Sequence, residues 1–240
     1  MGKVSTVEDK KFVTRFRQAL SFPIAFVILI WGIHIINFVT GYNLYWLGVY
    51  PRKIEGLWGI ITSPLIHGDF LHLFSNTLSF LILSFMLFFF FRKVAVQAFT
   101  LIYLLTGFAV WIFARESFHI GASGVVYGLV SFVFWSGIFR RNIKSIVLAL
   151  IVTVLYSGYF LGIVPGEEGI SWESHLLGGL VGILVAFLYR KDLEKDEIEQ
   201  KEVKFERDLE LDDQDHYFPP DIFDKKEDDH RNSTGHGGFY

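Results

Sequence analysis

The chain contains no cysteine, and its 240 residues include only two methionines and six prolines. The absence of cysteine excludes a disulfide framework, a cysteine nucleophile and a thiolate metal site. The sequence also lacks an HExxH metal motif, and its long apolar stretches contain no carboxylate except at their edges, at Asp69 and Glu173. This pattern argues against a zinc peptidase and against an aspartyl protease that acts inside the membrane. No patch of basic residues with interleaved aromatics indicates a nucleic-acid partner.

Hydrophobic residues make up 52% of the chain, which includes 26 phenylalanines and has a mean hydropathy of +0.40. An ordinary soluble domain of this length is less apolar, and a helix needs about 20 apolar residues to cross a bilayer. The sequence therefore predicts an all-α membrane protein with six transmembrane helices. The predicted spans are Phe22–Thr40, Phe70–Phe91, Val94–Phe113, Ala122–Phe139, Ile146–Val164 and Trp172–Tyr189.

Basic residues cluster in alternate loops between these spans. They stand before the first span and after the second, fourth and sixth, at Lys3, Lys10, Lys11, Arg15, Arg17, Arg92, Lys93, Arg140, Arg141, Lys144, Arg190 and Lys191. Cytoplasmic loops carry the excess of lysine and arginine in membrane proteins. We therefore expect an integral, multi-pass protein with both termini in the cytoplasm. A bacterial inner membrane is a separate expectation, which the loop charges do not establish.

Composition divides the chain into three segments. Residues 1–20 are predicted to be a cytoplasmic N-terminal segment, and residues 21–190 the six-helix domain. Residues 192–215 hold twelve acidic side chains, and polar, acidic material of this kind is typical of disorder. We therefore expect residues 191–240 to form a disordered cytoplasmic tail. Deletion of residues 192–240 should leave the chemistry of the membrane domain largely intact.

Two further segments are predicted to lie at the membrane surface. Residues 5–20 carry Phe12, Phe16 and Leu20 on one side and can form an interfacial helix. The long first connection, residues 41–69, contains tryptophans and prolines that suit the headgroup region.

Ser123 is a candidate nucleophile because it stands at the predicted start of an apolar helix, in the string Gly121-Ala122-Ser123-Gly124. The first N–H groups of a helix lack intrahelical partners and favour negative charge. A serine there can attack a carbonyl while its own N–H binds the resulting oxyanion. Gly121 and Gly124 leave room for a substrate backbone. So short a motif also fits a serine that only packs or starts a helix.

His175 is the candidate general base. The side of its helix is otherwise glycine at the i+3, i+4 and i+7 positions, Gly178, Gly179 and Gly182. Small residues allow helices to approach closely, and the Ser123 helix offers a matching surface at Gly124 and Gly128. If these surfaces meet, the imidazole lies near the Ser123 hydroxyl. An interface histidine that only bonds a loop is the alternative.

A third polar cluster contains His67, His72 and Asn76. His72 and Asn76 are four residues apart and face the same way on the second span. Both side chains can donate hydrogen bonds, so with the Ser123 N–H they can bind an oxyanion. Two alternatives are a polar seam between helices and a metal site formed by His67, His72 and His175. We expect neither a metal nor another cofactor.

These three motifs, in this order on spans two, four and six, resemble the rhomboid family of intramembrane serine proteases over about residues 20–190. The quoted segments are His67 to Asn76, Gly121 to Tyr127 and Ser174 to Gly178. The resemblance implies a six-helix bundle with a membrane-associated first loop. It also implies a dyad of Ser123 and His175 with no third, acidic member.

The resemblance assigns further roles around this dyad. His72 and Asn76 would line the oxyanion site together with Ser123. Tyr127 would pack on the catalytic histidine, and His67 would support a water-filled cavity. Gly121 and Gly124 complete the motif around the nucleophile.

Two positions depart from the pattern. Many rhomboids have Trp-Arg in the first loop where this chain has Trp58-Gly59, so the arginine contact is missing or supplied otherwise. Ser174 stands where alanine often precedes the histidine. Neither departure removes a reacting group.

The resemblance therefore implies a serine endopeptidase that cuts single-pass transmembrane proteins near the extracytoplasmic face of the lipid bilayer. A catalytically inactive rhomboid-like protein that binds membrane proteins is the first alternative. A transporter or channel is the second, although the polar residues cluster towards one side of the membrane.

Overall fold

A computed structural model describes residues 7–164, 171–194, 197–199 and 203. Within these residues the chain is helical and has no strand, only an isolated antiparallel bridge between Val49 and His119. The α-helices are α1 (Val7–Thr40), α2 (Gly59–Thr62), α3 (Phe70–Phe90), α4 (Ala95–Phe113), α5 (Ser123–Arg140), α6 (Ile143–Tyr156) and α7 (Trp172–Leu188). The prediction of an all-α protein is confirmed.

Each of the six predicted spans coincides with an apolar helix. In the described residues, α1, α3, α4 and α5 are long and apolar enough to cross a membrane. The remaining two are shorter, because α6 ends at Tyr156 in a 3-10 segment, Ser157–Ile163, and α7 has 17 residues. Four candidate spans are thus established by length and composition, and the count of six stays a prediction.

The helix predicted for residues 5–20 is continuous with the first predicted span, and its position at a membrane interface stays a prediction. From Val7 onward, α1 continues without a break through Pro23 to Thr40. Its first turns contact the far end of α3, where the ring of Phe12 lies 5.9 Å from that of Phe89 and the ring of Phe16 lies 5.2 Å from that of Phe85. These aromatic contacts hold the segment in line with the rest of α1.

Helix α5 lies at the centre of the bundle. It packs against α3, α4, α6 and α7, and Leu129, Phe132 and Val133 are fully buried on it. Lipid is as apolar as these side chains, so close packing rather than escape from water holds such helices together. The central position of α5 places its N-terminal residue, Ser123, among the ends of several helices.

A buried ion pair joins the helix ends at the opposite end of α5. Arg140 Nη1 lies 3.2 Å from Glu197 Oε2, and both side chains are 1% exposed. Arg140 Nη2 donates to the carbonyl of Tyr189, just after α7, at 3.2 Å. The guanidinium also lies 4.8 Å above the ring of Phe91, just after α3.

Glu197 extends this network to α6. Its carboxylate accepts hydrogen bonds from Asn142 Nδ2 and Ser145 Oγ, at 3.2 and 3.4 Å, and from the Glu194 N–H at 2.7 Å. Asn142 is also the N-cap of α6. One carboxylate thus holds the junction between α5 and α6.

This network does not fit the expectation that the acidic segment is a solvated, disordered tail from residue 191 onward. Removal of Glu197 would leave the Arg140 guanidinium buried without its counter-ion. The chain forms a compact unit up to Glu197, and of the unit that follows only Ile198, Glu199 and Val203 are described. The disorder expected for the tail otherwise falls outside the described residues, and the boundary at residue 190 stays a prediction.

The first connection is fastened to the end of α4. Arg52 Nη1 donates to the carbonyl of Ala114 at 2.7 Å, and Trp111 Nε1 donates to the carbonyl of Lys53 at 2.8 Å. The connection therefore has a fixed position beside the loop that leads to Ser123. Its contact with a membrane surface stays a prediction.

The departure at Gly59 has a structural explanation. Gly59 packs directly on the backbone of Gly48 and Val49, and a side chain at position 59 would overlap these atoms. An arginine therefore does not fit at this position in this chain. The guanidinium of Arg52, within the first connection, makes the contact with the end of α4.

Candidate active site

Ser123 is the first residue of α5, at the end of a tightly held loop. The N–H of Gly121 donates to the carbonyl of Ser63 at 2.9 Å. Gly121 has a φ of +99°, which side-chain-bearing residues rarely adopt. A β-carbon at position 121 would also lie 2.8 Å from the ring of His72. The glycine thus sets the turn into α5 and brings His72 beside the loop of Ser123.

The Ser123 hydroxyl and the His175 imidazole lie within hydrogen-bond distance, with Oγ 2.9 Å from Nε2. The other ring nitrogen, Nδ1, lies 2.8 Å from the carbonyl oxygen of Gly162. A carbonyl oxygen only accepts, so Nδ1 carries the proton in the neutral ring. Nε2 is then the acceptor, and the Ser123 hydroxyl donates to it. This is the arrangement in which a histidine removes the proton of an attacking serine.

An aromatic stack fixes the plane of the imidazole. The rings of Tyr127 and His175 are 4.1 Å apart and tilted by only 8°. The Tyr127 hydroxyl donates to the carbonyl of Tyr159 at 2.8 Å, and the Tyr159 hydroxyl lies 2.6 Å from Ser79 Oγ on α3. The ring of His175 is therefore held on one face and at Nδ1.

The 3-10 segment Ser157–Ile163 supplies both carbonyl groups of this arrangement. The sequence did not identify Gly162, because a backbone carbonyl carries no side-chain signal. The absence of a side chain at position 162 is a partial sequence signal for this close packing, because a β-carbon there would collide with the Tyr127 hydroxyl. Gly162 occupies the place of the orienting group that accepts from the base in a catalytic triad.

The start of α3 brings His72 and Asn76 to the same cavity. Asp69 caps this helix by accepting from the His72 N–H at 2.7 Å. One N–H of the Asn76 side chain donates to the carbonyl of His72 at 2.8 Å, which leaves its second N–H for another acceptor. Both residues line the cavity that also contains Ser123 and His175.

His67 lies beneath this region, in the connection before α3. It is buried, its ring centre is 5.2 Å from that of His72, and its Nε2 is 3.5 Å from the Ala122 N–H. Burial, with smaller contributions from His72 and His34, lowers the pKa of His67 to about 3. The ring is therefore neutral at neutral pH and supports the loop before Ser123.

The cavity has a volume of about 740 Å³ and a partly polar lining. Its residues come from α3, α5, α7 and the connections at this end of the bundle, among them Tyr45, Asp69, His72, Asn76, Arg115, His119, Ser123, Ser171 and His175. Such a volume holds several water molecules beside the serine. Over the residues that the structure describes, no group of three or more His, Cys, Asp or Glu side chains is arranged to hold a metal ion.

The sequence matches the family model of the Rhomboid domain over residues 55–192. An uncharacterized protein of Mycobacterium tuberculosis is 34% identical over 174 residues, which cover 69% of this chain and 72% of that protein. A Bacillus subtilis protein with the provisional name of a rhomboid protease is 30% identical over 62% of this chain and 73% of its own length. RHOMBOID-like protein 4 of Arabidopsis thaliana is 28% identical over 55% of this chain and 34% of that protein.

The matched region contains all the candidate site residues and the helices α3 to α7. The family match and the apolar helices of the described residues together indicate that this chain is an integral membrane protein. The chain belongs to the rhomboid family.

Proposed function

We propose that this protein is an intramembrane serine endopeptidase that cuts single-pass transmembrane proteins near the extracytoplasmic face of the membrane. The observation that carries the proposal is the 2.9 Å contact between Ser123 Oγ and His175 Nε2, beside a partly polar cavity that has room for several water molecules. Intramembrane ionisable and polar residues are costly and mark functional sites.

In this mechanism, Ser123 Oγ attacks the scissile carbonyl carbon while Nε2 of His175 takes the hydroxyl proton. The carbonyl oxygen becomes an oxyanion, which accepts hydrogen bonds from the Ser123 N–H, His72 and Asn76. The imidazolium then gives its proton to the leaving amide nitrogen, and the peptide bond breaks. A water molecule in the cavity, deprotonated by His175, hydrolyses the acyl-enzyme ester and releases Ser123.

The substrate must present an accessible carbonyl to Ser123. A carbonyl within a helix is already hydrogen-bonded and shielded, so the substrate helix has to unwind locally at the cut. Small or helix-breaking residues near the scissile bond therefore favour cleavage. This requirement suits transmembrane substrates with a weak helical segment near one membrane surface.

We also propose that all six apolar helices, α1 and α3 to α7, cross the bilayer. Helix α6 does so together with the 3-10 segment that follows it. The basic loops favour termini in the cytoplasm, and in that orientation Ser123 lies towards the opposite, extracytoplasmic side. Residues 21–190 form the protease domain, although Glu197 contributes to its packing.

The test is cleavage of a single-pass transmembrane substrate in liposomes by the wild-type protein and by Ser123→Ala. The wild type should cleave and the variant should not, while the two melt at similar temperatures. A folded wild type that binds such substrates without cleaving them would refute the proposal and favour the inactive binding protein.

A further inference from the structure

His119 is a buried histidine that the proposed chemistry does not use. It lies in the connection between α4 and α5, four residues before Ser123, and is 3% exposed. Its backbone pairs with Val49 of the first connection through two hydrogen bonds of 2.9 Å. His119 therefore sits where the first connection and the nucleophile loop meet.

The imidazole of His119 reaches the start of the helix that carries the base. Its Nε2 lies 3.0 Å from the carbonyl oxygen of Arg115, and its Nδ1 lies 2.6 Å from Ser171 Oγ. Burial lowers the pKa of His119, while the nearby charges of Glu173 and Arg115 act in opposite directions. In the neutral ring Nε2 carries the proton, since the carbonyl only accepts, so the Ser171 hydroxyl donates to Nδ1.

This geometry matches that of Ser123 and His175, yet Ser171 is not a second nucleophile. The Ser171 hydroxyl donates its hydrogen bond to His119. In the 2.7 Å contact between Ser171 Oγ and Ser174 Oγ, the Ser174 hydroxyl is therefore the donor. The Ser174 N–H also donates to Ser171 Oγ, at 3.3 Å. Both lone pairs of Ser171 Oγ are therefore engaged, and Ser171 serves as the N-cap of α7.

We propose that His119 is a positioning residue for the dyad of Ser123 and His175, and that it acts through the cap of α7. His175 follows Ser171 by one helical turn, and its N–H lies 3.4 Å from the Ser171 carbonyl. The bond between His119 and Ser171 thus joins the loop before the nucleophile to the turn before the base. The inference rests on the proposed protease activity.

A second link crosses the same junction but is weaker. Arg115 Nε lies 3.3 Å from Glu173 Oε1, with the arginine side chain 54% exposed. The Glu173 side chain is 9% exposed, but water and salt reach the arginine and screen the pair. The bond between His119 and Ser171 involves a buried imidazole and is less exposed to such screening.

The experiment compares His119→Ala with His119→Asn in the full-length protein. The asparagine amide oxygen replaces Nδ1 as an acceptor for Ser171, whereas alanine removes it. His119→Ala should lower kcat about 10- to 100-fold with little change in KM, as expected for a small misplacement of reacting groups. His119→Asn should recover most of this loss. Glu116→Ala, in the same loop, is the control and should retain wild-type kcat, because the exposed carboxylate of Glu116 pairs with Arg52 rather than with His119.

A coupling measurement adds a readout that general destabilisation would not give. Ser171→Ala should lower kcat like His119→Ala, and the double variant should lose little more, because both changes break one bond. Independent losses that multiply in the double variant would contradict the inference, as would wild-type kcat in His119→Ala. A fluorophosphonate adduct on Ser171 would also overturn it, since it would make Ser171 a nucleophile.

A folded wild type without protease activity refutes the proposed function but not the positioning role of His119. In that case the imidazole ¹⁵N NMR signals of His175, compared between the wild type and the two His119 variants, test the positioning role. They should shift in His119→Ala and return towards wild-type values in His119→Asn. Signals that are identical in all three proteins would overturn the positioning role.

Discussion

Gly178 of α7 lies directly against the carbonyl oxygen of Gly124 of α5, and a side chain at position 178 would overlap that oxygen. Gly182 has the same relationship to Gly128 one turn further along. Ser123 precedes Gly124 by one residue, and His175 precedes Gly178 by three. The distance between these two helices therefore sets the distance between Ser123 and His175.

We expect Gly178→Ala to push α7 away from α5. Overpacking of this kind typically costs about 1–3 kcal/mol, and the movement separates the base from the nucleophile. Thermal melting and cleavage assays should both show a loss. The control is Gly179→Ala, because among the residues that the structure describes a β-carbon at this adjacent glycine meets only Ser131 Oγ, at 3.4 Å. Equal behaviour of the two variants would show that the contact does not set the helix separation.

Asn76→Ala should lower turnover more than substrate binding. An oxyanion donor acts mainly in the transition state, and removal of one typically costs about 10²- to 10³-fold in rate. The loss should lie towards the lower end here, because His72 and the Ser123 N–H remain as donors. Steady-state kinetics with a transmembrane substrate separates kcat from KM. A raised KM with unchanged kcat would instead place Asn76 in substrate positioning.

Truncation should have a sharp boundary at Glu197. A chain that ends at Glu197 keeps the partner of Arg140 and should cleave within a few-fold of the full-length protein. A chain that ends at Lys191 leaves a buried guanidinium without its counter-ion, which costs about 3–5 kcal/mol for a pair of this kind. Melting temperatures of the two truncated proteins test the difference.

Glu197→Ala in the full-length chain controls for the length of the tail. This variant should melt below the wild type but no lower than the chain that ends at Lys191, which also loses the contacts of Asp192 and Glu194 with Lys93. If both melt like the wild type, the pair does not stabilise the bundle.

The sequence predicted most of the helices and the residues that meet at the cavity. The spacing of His175 from its glycines, and the small residues after Ser123, indicated two surfaces that can approach closely. The 2.9 Å contact of Ser123 and His175 follows from that approach, although their catalytic roles stay a prediction.

Other features depend on tertiary contacts that no local pattern reveals. The carbonyl of Gly162 carries no sequence signal, and Glu197 lies in an acidic run that resembles a solvated tail until Arg140 is seen beside it. Helix α1 continues through Pro23, because apolar helices in membranes accommodate proline when their neighbours support them. The packing of Phe12 and Phe16 on α3 provides that support.

The most direct test of the central claim is the reaction of the folded protein with a fluorophosphonate, followed by mass spectrometry of the adduct. The wild type should carry one adduct, on Ser123. Ser123→Ala should carry none, and His175→Ala should react far more slowly or not at all, because its serine hydroxyl has lost the base. Normal labelling of His175→Ala, or an adduct on another residue, would contradict the account.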